Sequence, residues 1–320
     1  MKYRQLGSSG IQVSEIGFGA WGIGGLVHDS SAYGPTDDSV SQQALRTAFE
    51  AGVTFIDTAA LYGYGHSEEL IGKTLCGVRD RVVISTKAGY VNFTGLQDFS
   101  PAYLRSSLEA SLKRLQTEYV DVFQLHDPPI DLLVNDESII ELLHTLRDEG
   151  KIRVIGISTR SPADSLVAVE RLGFKSVQVN FNLVDQRALE LGLFAACRTH
   201  GAGLIARTPL CFGFLTGKYS AGYDYAEGDH RGKWNPEQIA LWAEACSLFC
   251  TGLEVDEAQT SAQIALRYVL SFAEVSSTIP GMLTDWHVAE NVAASALGPF
   301  SPSVLERISD IYAQHSFFCR

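Results

Sequence analysis

Two patterns of hydrophobic and polar positions alternate along the chain between residues 11 and 295. The first is a short run rich in Val, Ile and Phe and bounded by turn residues, which predicts a buried strand. The second is a longer amphipathic stretch, often opened by Ser, Thr, Asp or Pro, which predicts a helix. The short runs lie at residues 15–19, 53–56, 82–85, 120–125, 154–157, 176–179, 203–206 and 275–279. Helices are predicted at residues 39–51, 101–112 (capped by Ser100), 136–148, 162–171, 187–199, 257–270 and 285–294.

Strand runs that are apolar on both faces and separated by helices predict parallel strands joined by right-handed crossovers. Eight such units in about 300 residues fit a closed (β/α)8 TIM barrel, an α/β fold, better than an open sheet. Residues 3–13 predict an N-terminal hairpin across the barrel bottom, and residues 211–235 a long loop after the seventh strand. Residues 236–250 and 302–313 predict extra helices, after strand seven and at the C-terminus. Because no linker is visible, residues 1–320 are expected to form a single domain.

The composition is that of a globular chain and excludes several classes of partner. With 46% hydrophobic and 19% charged residues, the 320-residue chain can bury a large core. Its net charge of −12 argues against nucleic acid, because phosphate binding needs a basic face. No apolar window approaches the roughly 18 residues of a membrane span, and no secretory leader is recognisable. We therefore expect a cytoplasmic protein without nucleic-acid or membrane partners.

Neither the cysteines nor the histidines form a metal-binding pattern. The six cysteines contain no C-x-x-C pair, and the eight histidines form no H-E-x-x-H. We expect reduced thiols and no metal site.

The segment GFGAWG at residues 17–22 fits the G-x-G-x-x-G fingerprint of a Rossmann dinucleotide site. That fingerprint must open directly into a helix whose N-terminus holds the pyrophosphate. Here the chain continues as IGGLVHDS at residues 23–30, which predicts an irregular loop. The Rossmann interpretation is therefore rejected.

Polar residues follow six consecutive strand runs. They are Asp57, Lys87, His126, Ser158 with Thr159, Gln178 with Asn180, and Arg207. Taken singly, each has an ordinary structural explanation, such as a helix cap or a rim residue. Because the carboxyl ends of barrel strands meet at one mouth, where barrel active sites lie, the whole set favours a catalytic site.

The chemistry of this set points to carbonyl reduction or its reverse. An unpaired buried ammonium is costly, so Asp57 is the expected partner of Lys87. A cation beside a phenol favours the phenolate, which would make Tyr62 a general acid or base. His126 is placed to orient a carbonyl oxygen. Since no side chain supplies hydride, the set requires a nicotinamide cofactor.

At this point the chain resembles the aldo-keto reductases, NAD(P)H-dependent (β/α)8-barrel oxidoreductases, along nearly its whole length. The motifs that carry the resemblance are GVTFIDTAALYGYGHSE (52–68), VVISTKAGY (82–90), VDVFQLHDPP (120–129), GKIRVIGIS (150–158), PLCFGFLTGKY (209–219) and IPGMLTDWHVAEN (279–291). The resemblance implies Tyr62 as the acid, tuned by Lys87 and Asp57, with His126 orienting the carbonyl. It also favours Tyr62 over Tyr64, because the family tyrosine stands five residues after the aspartate.

The resemblance further implies a cofactor site built from several strand ends. Ser158 and Gln178 match positions that bind the nicotinamide carboxamide, and Thr159 stands where many members have asparagine. Arg207 replaces a tyrosine that stacks on the nicotinamide, and a guanidinium plane can also stack. The remaining implied cofactor residues are Gly19, Trp21, Asp57, Leu210, Gly213, Gly281, Glu290 and Asn291.

The preferred cofactor stays open between NADP(H) and NAD(H). NADP(H) is the family default, in which Lys or Arg after Gly281 pairs with the 2′-phosphate. Here residues 282–287 read MLTDWH, with an acid and no fixed cation. This departure makes NAD(H) a close rival.

The predicted function is therefore hydride transfer between a nicotinamide cofactor and an aldehyde, ketone or sugar-like substrate. The substrate is expected to contact Trp21, Tyr62, Tyr90 and His126, with Phe212 and Trp234 of the long loop nearby. One alternative is an NAD-dependent sugar or pyridoxal-type dehydrogenase working in the oxidative direction. An alternative of another class is a cofactor-binding regulatory subunit with little turnover.

Overall fold

A computed structural model describes residues 1–27, 31–253 and 258–319 of the chain. Its strands are β1 Tyr3–Gln5, β2 Gln12–Ser14, β3 Phe18–Gly19, β4 Phe55–Asp57, β5 Val83–Ala88, β6 Val120–His126, β7 Ile152–Ser158, β8 Ser176–Asn180, β9 Gly203–Arg207 and β10 Val275–Thr278. Strands β3 to β10 form one parallel sheet in chain order. These are the eight runs expected from the sequence.

The sheet closes between its first and last strands. Parallel bridges join Ile16 to Thr278 and Gly19 to Gly281. Gly19 allows this close approach, since a Cβ there would lie 2.6 Å from the carbonyl oxygen of Ile279. The predicted (β/α)8 barrel is thus confirmed.

The N-terminal hairpin lies at the amino ends of the barrel strands, as predicted. Strands β1 and β2 pair in antiparallel register, and the turn between them contacts the turn before β9, where Ser8 N–H donates to the Gly201 carbonyl at 2.8 Å. Behind the hairpin, side chains from several strands fill the barrel interior. This inner cluster is Leu6, Ile11, Val13, Phe55, Val83, Val122, Val154, Ile205 and Ile279.

Helices surround the sheet and bury a second, larger apolar core against its outer face. They are α1 Asp38–Glu50, α2 His66–Leu75, α3 Pro101–Leu115, α4 Ile130–Asn135, α5 Glu137–Asp148, α6 Pro162–Glu170, α7 Arg187–Glu190, α8 Leu193–His200, α9 Pro236–Gly252, α10 Ser261–Leu270, α11 Asp285–Leu297 and α12 Pro302–Gln314. The side chain of Ser100 caps α3, as predicted. The extra helices α9 and α12 are present as expected. None of the described helices is long and apolar enough to cross a bilayer.

The helices differ from the predicted ones at four main places. The stretch 187–199 is two helices rather than one, because Gly192 adopts φ 79° between them. The helix predicted from Glu257 begins at Ser261, where Thr260 and Gln263 form a capping box; Glu257 itself lies outside the described residues. Helices α2 and α4 were not among the predicted stretches, since both are short and lie directly after strand-end segments.

The segment after β3 does not open into a long helix. Among the described residues between the glycine-rich fingerprint and α1, one 3₁₀ turn is found, Gly22–Gly24. Residues 28–30 of the predicted loop lie outside the described residues. The rejection of a Rossmann unit is therefore confirmed.

The long loop between β9 and α9 contains two short 3₁₀ segments, Cys211–Thr216 and His230–Lys233. Arg231 holds the loop together, because its guanidinium forms two hydrogen bonds to the carboxylate of Asp229, at 3.0 and 2.6 Å. The same guanidinium lies over the rings of Tyr219 and Tyr33 at 4.1 and 4.7 Å. A buried charge that is paired and stacked in this way gives the loop a defined shape.

Candidate active site

Three of the sequence-predicted residues meet at the carboxyl end of β4 and β5. The Lys87 ammonium donates to Asp57 Oδ2 at 2.6 Å, to the Thr58 carbonyl at 2.8 Å and to Tyr62 Oη at 3.2 Å. Lys87 and Asp57 are 1% and 2% exposed, so the ion pair is screened little by solvent. The expected Asp57–Lys87 pair is therefore present, and it contacts the expected tyrosine.

The state of Lys87 follows from two opposing effects. Burial by itself lowers the pKa of Lys87, because it penalises the charged form. The Asp57 carboxylate and the Tyr62 oxygen outweigh burial, and the resulting pKa is raised above the ordinary value. The lysine thus stays a cation beside the phenol.

Tyr62 is positioned by a tight turn that packs closely against another backbone segment. It starts the 3₁₀ segment Tyr62–Gly65, in which Gly63 adopts φ 58°. A Cβ on Gly63 would lie 2.3 Å from the carbonyl oxygen of Gly24, in the segment after β3. The glycine therefore lets two backbone segments touch directly behind the phenol.

The second oxygen of Asp57 is held by two amides from other strands. Gln178 Nε2 on β8 donates to Asp57 Oδ1 at 2.8 Å, and Gln124 Nε2 on β6 donates at 3.2 Å and also to Ser85 Oγ at 2.6 Å. These bonds fix the carboxylate and therefore the lysine. Gln124 was not predicted from the sequence, because it lies inside a strand rather than at its end. The sequence feature that could have indicated Gln124 is the presence of a polar residue within an otherwise apolar strand run.

His126 lies between two tyrosines. Its ring makes edge contacts with Tyr62, at 6.1 Å between centroids, and with Tyr90, at 5.0 Å. Burial lowers the pKa of His126 well below its ordinary value, and the nearby cations Lys87, Arg207 and Arg160 lower it further. The imidazole is therefore neutral and can donate from only one ring nitrogen.

A second ion pair lies at the rim beside His126. Asp127 has φ 58° and accepts from Tyr90 Oη at 3.0 Å, from Arg160 N–H at 2.9 Å and from Arg160 Nε at 3.0 Å. Asp127 and Arg160 were not predicted as site residues, although Asp127 stands inside the quoted HDPP motif. Together they fix Tyr90, and Tyr90 in turn contacts the histidine ring.

Ser158, Thr159 and Arg207 meet on the neighbouring strands. Ser158 Oγ donates to Gln178 Oε1 at 3.3 Å, which joins two of the predicted carboxamide-binding residues. The Thr159 hydroxyl bonds instead to the Ser161 carbonyl and to Ser165 Oγ at the start of α6. Arg207 Nη2 donates to the Thr159 carbonyl at 3.0 Å. The guanidinium thus lies beside the Ser158–Gln178 pair.

The predicted aromatic residues divide into two groups. Tyr62, His126 and Tyr90 form the first. Trp21 belongs to the second, in which its ring lies 4.7 Å from that of His230, and His230 lies 4.9 Å from Trp234. Phe212 joins this group through Trp234 at 4.7 Å. Trp21 is thus placed against the long loop.

The predicted pyrophosphate and adenosine residues lie on the β9 loop and the β10 end. Gly213 has φ 96°, and its N–H donates to the Leu210 carbonyl at 2.9 Å. Buried Asn291 on α11 donates to the Gly281 carbonyl at 3.5 Å. Glu290, next to it, is half-buried and accepts from Gln263 through its backbone carbonyl. In each of these three contacts the acceptor is a backbone carbonyl.

Comparison with known proteins decides the family. The model of the aldo/keto reductase family matches residues 15–313. The chain belongs to the aldo/keto reductase family. It is similar to the aldo-keto reductase YhdN of Bacillus subtilis (strain 168), at 37% identity over 74% of this chain and 70% of that protein. Among solved structures, it is similar to the aldo-keto reductase AKR11C1 from Bacillus halodurans (holo form), with a TM-score of 0.80, 28% identity and coverage of 97% and 96% of the two chains.

Relatives of this aldo-keto reductase differ in cofactor. The aldo-keto reductase yakc [NADP(+)] of Schizosaccharomyces pombe (strain 972 / ATCC 24843) is 31% identical over 88% of this chain and 84% of that protein. The NADH-specific methylglyoxal reductase of Escherichia coli (strain K12) is 30% identical over 92% and 93%. The protein is thus an NAD(P)H-dependent oxidoreductase, and these names leave its preferred nicotinamide cofactor undetermined.

The residues at the mouth of this aldo-keto reductase fit a nicotinamide. Within the described parts of the chain, three buried polar atoms here lack a hydrogen-bond partner: Gln124 Oε1, His126 Nδ1 and Arg207 Nε. Such atoms are costly unless a ligand or water satisfies them. The hydroxyl and amide of Ser158 and Gln178 lie among them and suit a carboxamide, which both donates and accepts.

Proposed function

We propose that the protein transfers a hydride between a nicotinamide cofactor and the carbonyl or alcohol carbon of an aldehyde, ketone or sugar-like substrate, with Tyr62 as general acid and base. The observation that carries this proposal is the 3.2 Å contact between the Lys87 ammonium and Tyr62 Oη. A cation at this distance stabilises the phenolate that remains after proton donation. The nicotinamide, when bound, supplies or accepts the hydride at the substrate carbon.

The side chains of the protein are proposed to carry out the proton transfer and to orient the substrate. Tyr62 gives its proton to the substrate oxygen during reduction and takes it back during oxidation. Neutral His126 donates one hydrogen bond to the same oxygen, which fixes the carbonyl orientation without adding a second positive charge. Asp57 keeps Lys87 in place and charged. General acid catalysis of this kind is typically worth about 10²–10⁴-fold.

The cofactor is proposed to lie across the strand ends, with its carboxamide on Ser158 and Gln178 and its ring against Arg207. Further contacts are proposed at Gly19, Trp21, Asp57, Thr159, Leu210, Gly213, Gly281, Glu290 and Asn291. For Thr159, the backbone is the contacting part, since its hydroxyl is bonded within the start of α6. Trp21, Tyr62, Tyr90 and His126 are proposed to contact the substrate.

One cation near α11 supports NADP(H) as the proposed cofactor. His287 on α11 has a pKa lowered by burial and, to a smaller degree, by Lys218 of the β9 loop. Lys218 is therefore near enough to act electrostatically on His287, and it is proposed as the partner of the 2′-phosphate of NADP(H). We propose NADP(H) as the preferred cofactor and NAD(H) as the one to test against it.

The test is a spectrophotometric assay with a panel of aldehydes, ketones, sugars and the corresponding alcohols, using each cofactor in both directions. Turnover of a carbonyl with a reduced cofactor supports the proposal. Turnover confined to alcohols with NAD⁺ supports the dehydrogenase alternative. Tight cofactor binding without any turnover would show a regulatory subunit and overturn the proposal.

A further inference from the structure

The charges around the candidate site do not balance. Lys87 is neutralised by Asp57, and Arg160 by Asp127. The lowered pKa of His126 leaves that ring neutral near pH 7. Arg207 remains, and within the described residues it forms no ion pair. The mouth therefore carries one positive charge that the neighbouring side chains do not offset.

Two buried cations elsewhere, Lys87 and Arg231, each have several hydrogen-bonding partners. Lys87 has a carboxylate, a carbonyl and a phenol as partners. Arg231 has the bidentate Asp229 and the Phe212 carbonyl. Arg207 has a single carbonyl, that of Thr159, and its Nε is buried without a hydrogen bond. Burial lowers the pKa of its guanidinium, but arginine remains protonated at any working pH.

The position of Arg207 relates this charge to the nicotinamide ring. Arg207 ends β9 and pairs in register with Asn180, two residues beyond Gln178 on β8. Its guanidinium contacts Thr159, directly after Ser158. A ring whose carboxamide is held by Ser158 and Gln178 therefore lies beside the guanidinium. The inference below rests on the proposed function, because it needs the ring at that place.

We infer that Arg207 makes the site discriminate between the redox states of its cofactor, binding the reduced form more tightly than the oxidised form. The dihydronicotinamide ring is neutral, whereas the oxidised pyridinium ring carries a positive charge. A fixed, uncompensated guanidinium beside the ring repels only the charged form. Arg207 thereby promotes release of oxidised cofactor and raises the reduction potential of the bound couple.

The expected difference in affinity between reduced and oxidised cofactor follows from the repulsion of like charges in a partly buried site. Such pairs shift ionisation equilibria by about 1–3 units, and the lower part of that range gives an oxidised cofactor that binds about 10- to 100-fold more weakly than reduced cofactor. For a two-electron couple, each tenfold step corresponds to about 30 mV. Tighter binding of the oxidised form, or equal binding, contradicts the inference.

The experiment measures dissociation constants for NADPH, NADP⁺, NADH and NAD⁺ by titration calorimetry, without substrate. Arg207→Gln removes the charge but keeps a side chain that can donate hydrogen bonds. Arg207→Lys keeps the charge and is the matched variant. Thermal melting checks that each variant is folded.

We expect Arg207→Gln to lower the dissociation constant of oxidised cofactor by about 10- to 100-fold. The dissociation constant of reduced cofactor should change by less than about threefold. Arg207→Lys should keep the native ratio of oxidised to reduced dissociation constants. An unchanged ratio in Arg207→Gln, or equal loss of both forms, overturns the inference and leaves the proposed function standing. If native protein binds neither form of either cofactor, the proposed function fails and the inference fails with it.

Discussion

The ammonium nitrogen of Lys87 lies 3.2 Å from the phenolic oxygen of Tyr62. The two residues are 25 positions apart in the chain and belong to different secondary structure elements. Lys87 comes from β5, whereas Tyr62 comes from a turn after β4. Their contact depends on parallel strands ending at one edge and on a glycine turn that folds back over that edge.

Replacing Tyr62 with Phe should reduce kcat by about 10²–10⁴-fold, because the ring remains but its proton is lost. Cofactor dissociation constants should change little, since only one hydroxyl is removed. Tyr64→Phe is the matched control, because Tyr64 packs against Phe93 at 5.3 Å between ring centroids. Steady-state kinetics and cofactor titration measure both variants. Retention of most of the native rate in Tyr62→Phe would show that another group is the acid.

Gly63→Ala should lower both stability and kcat. Gly63 has φ 58°, and a Cβ there meets the Gly24 carbonyl oxygen at 2.3 Å, so the backbone beside Tyr62 must shift. Gly77→Ala is the control, with φ 84° and no atom within 4 Å of its Cβ. The control substitution should lower the free energy of unfolding by about 1–2 kcal/mol, because alanine is strained in a left-handed backbone conformation, and should leave kcat unchanged. Urea unfolding and kinetics compare the two; equal effects on both quantities would argue against a tight fit at Gly63.

Arg114→Met should destabilise the fold by about 3–5 kcal/mol. Glu68 in the first turn of α2 is fully buried, and its carboxylate pairs with Arg114 at 2.7 Å, so the substitution leaves an uncompensated buried charge. Arg105→Met is the control, because Arg105 and its partner Glu149 are about one-third exposed, and it should cost less than about 1 kcal/mol. Urea unfolding at neutral pH measures both. Similar losses would mean that Glu68 finds another partner.

The free energy of unfolding should fall as the pH drops below about 6.5, the ordinary histidine pKa. His126 has a folded pKa well below that value, so between the two pKa values the unfolded chain binds a proton that the folded chain does not. Each such histidine contributes a slope of about 1.4 kcal/mol per pH unit. His126→Gln should reduce the slope by about that amount, as measured by urea unfolding from pH 7 to pH 5. An unchanged slope would show that His126 is protonated in the folded protein.

The sequence predicted the barrel because its evidence is local and repeated. Each strand is a short run with turn residues at its ends, and each helix has a 3.6-residue apolar period. The break at Gly192 was missed because a glycine inside a helical pattern is tolerated as often as it ends the helix. Only the packing of α7 and α8 around it decides which occurs.

By itself, the sequence determined that Asp57, Lys87, His126, Gln178 and Arg207 lie at one mouth, since parallel strands place their carboxyl ends together. It also predicted Asp57 as the partner of Lys87, because an unpaired buried ammonium is costly and Asp57 stood at an adjacent strand end. Tertiary structure alone decided that the Thr159 hydroxyl is used within α6 and that Arg207 lacks a counter-charge. The physical reason is that pairing and desolvation depend on every group around a side chain, and those groups come from strands that are far apart in the chain.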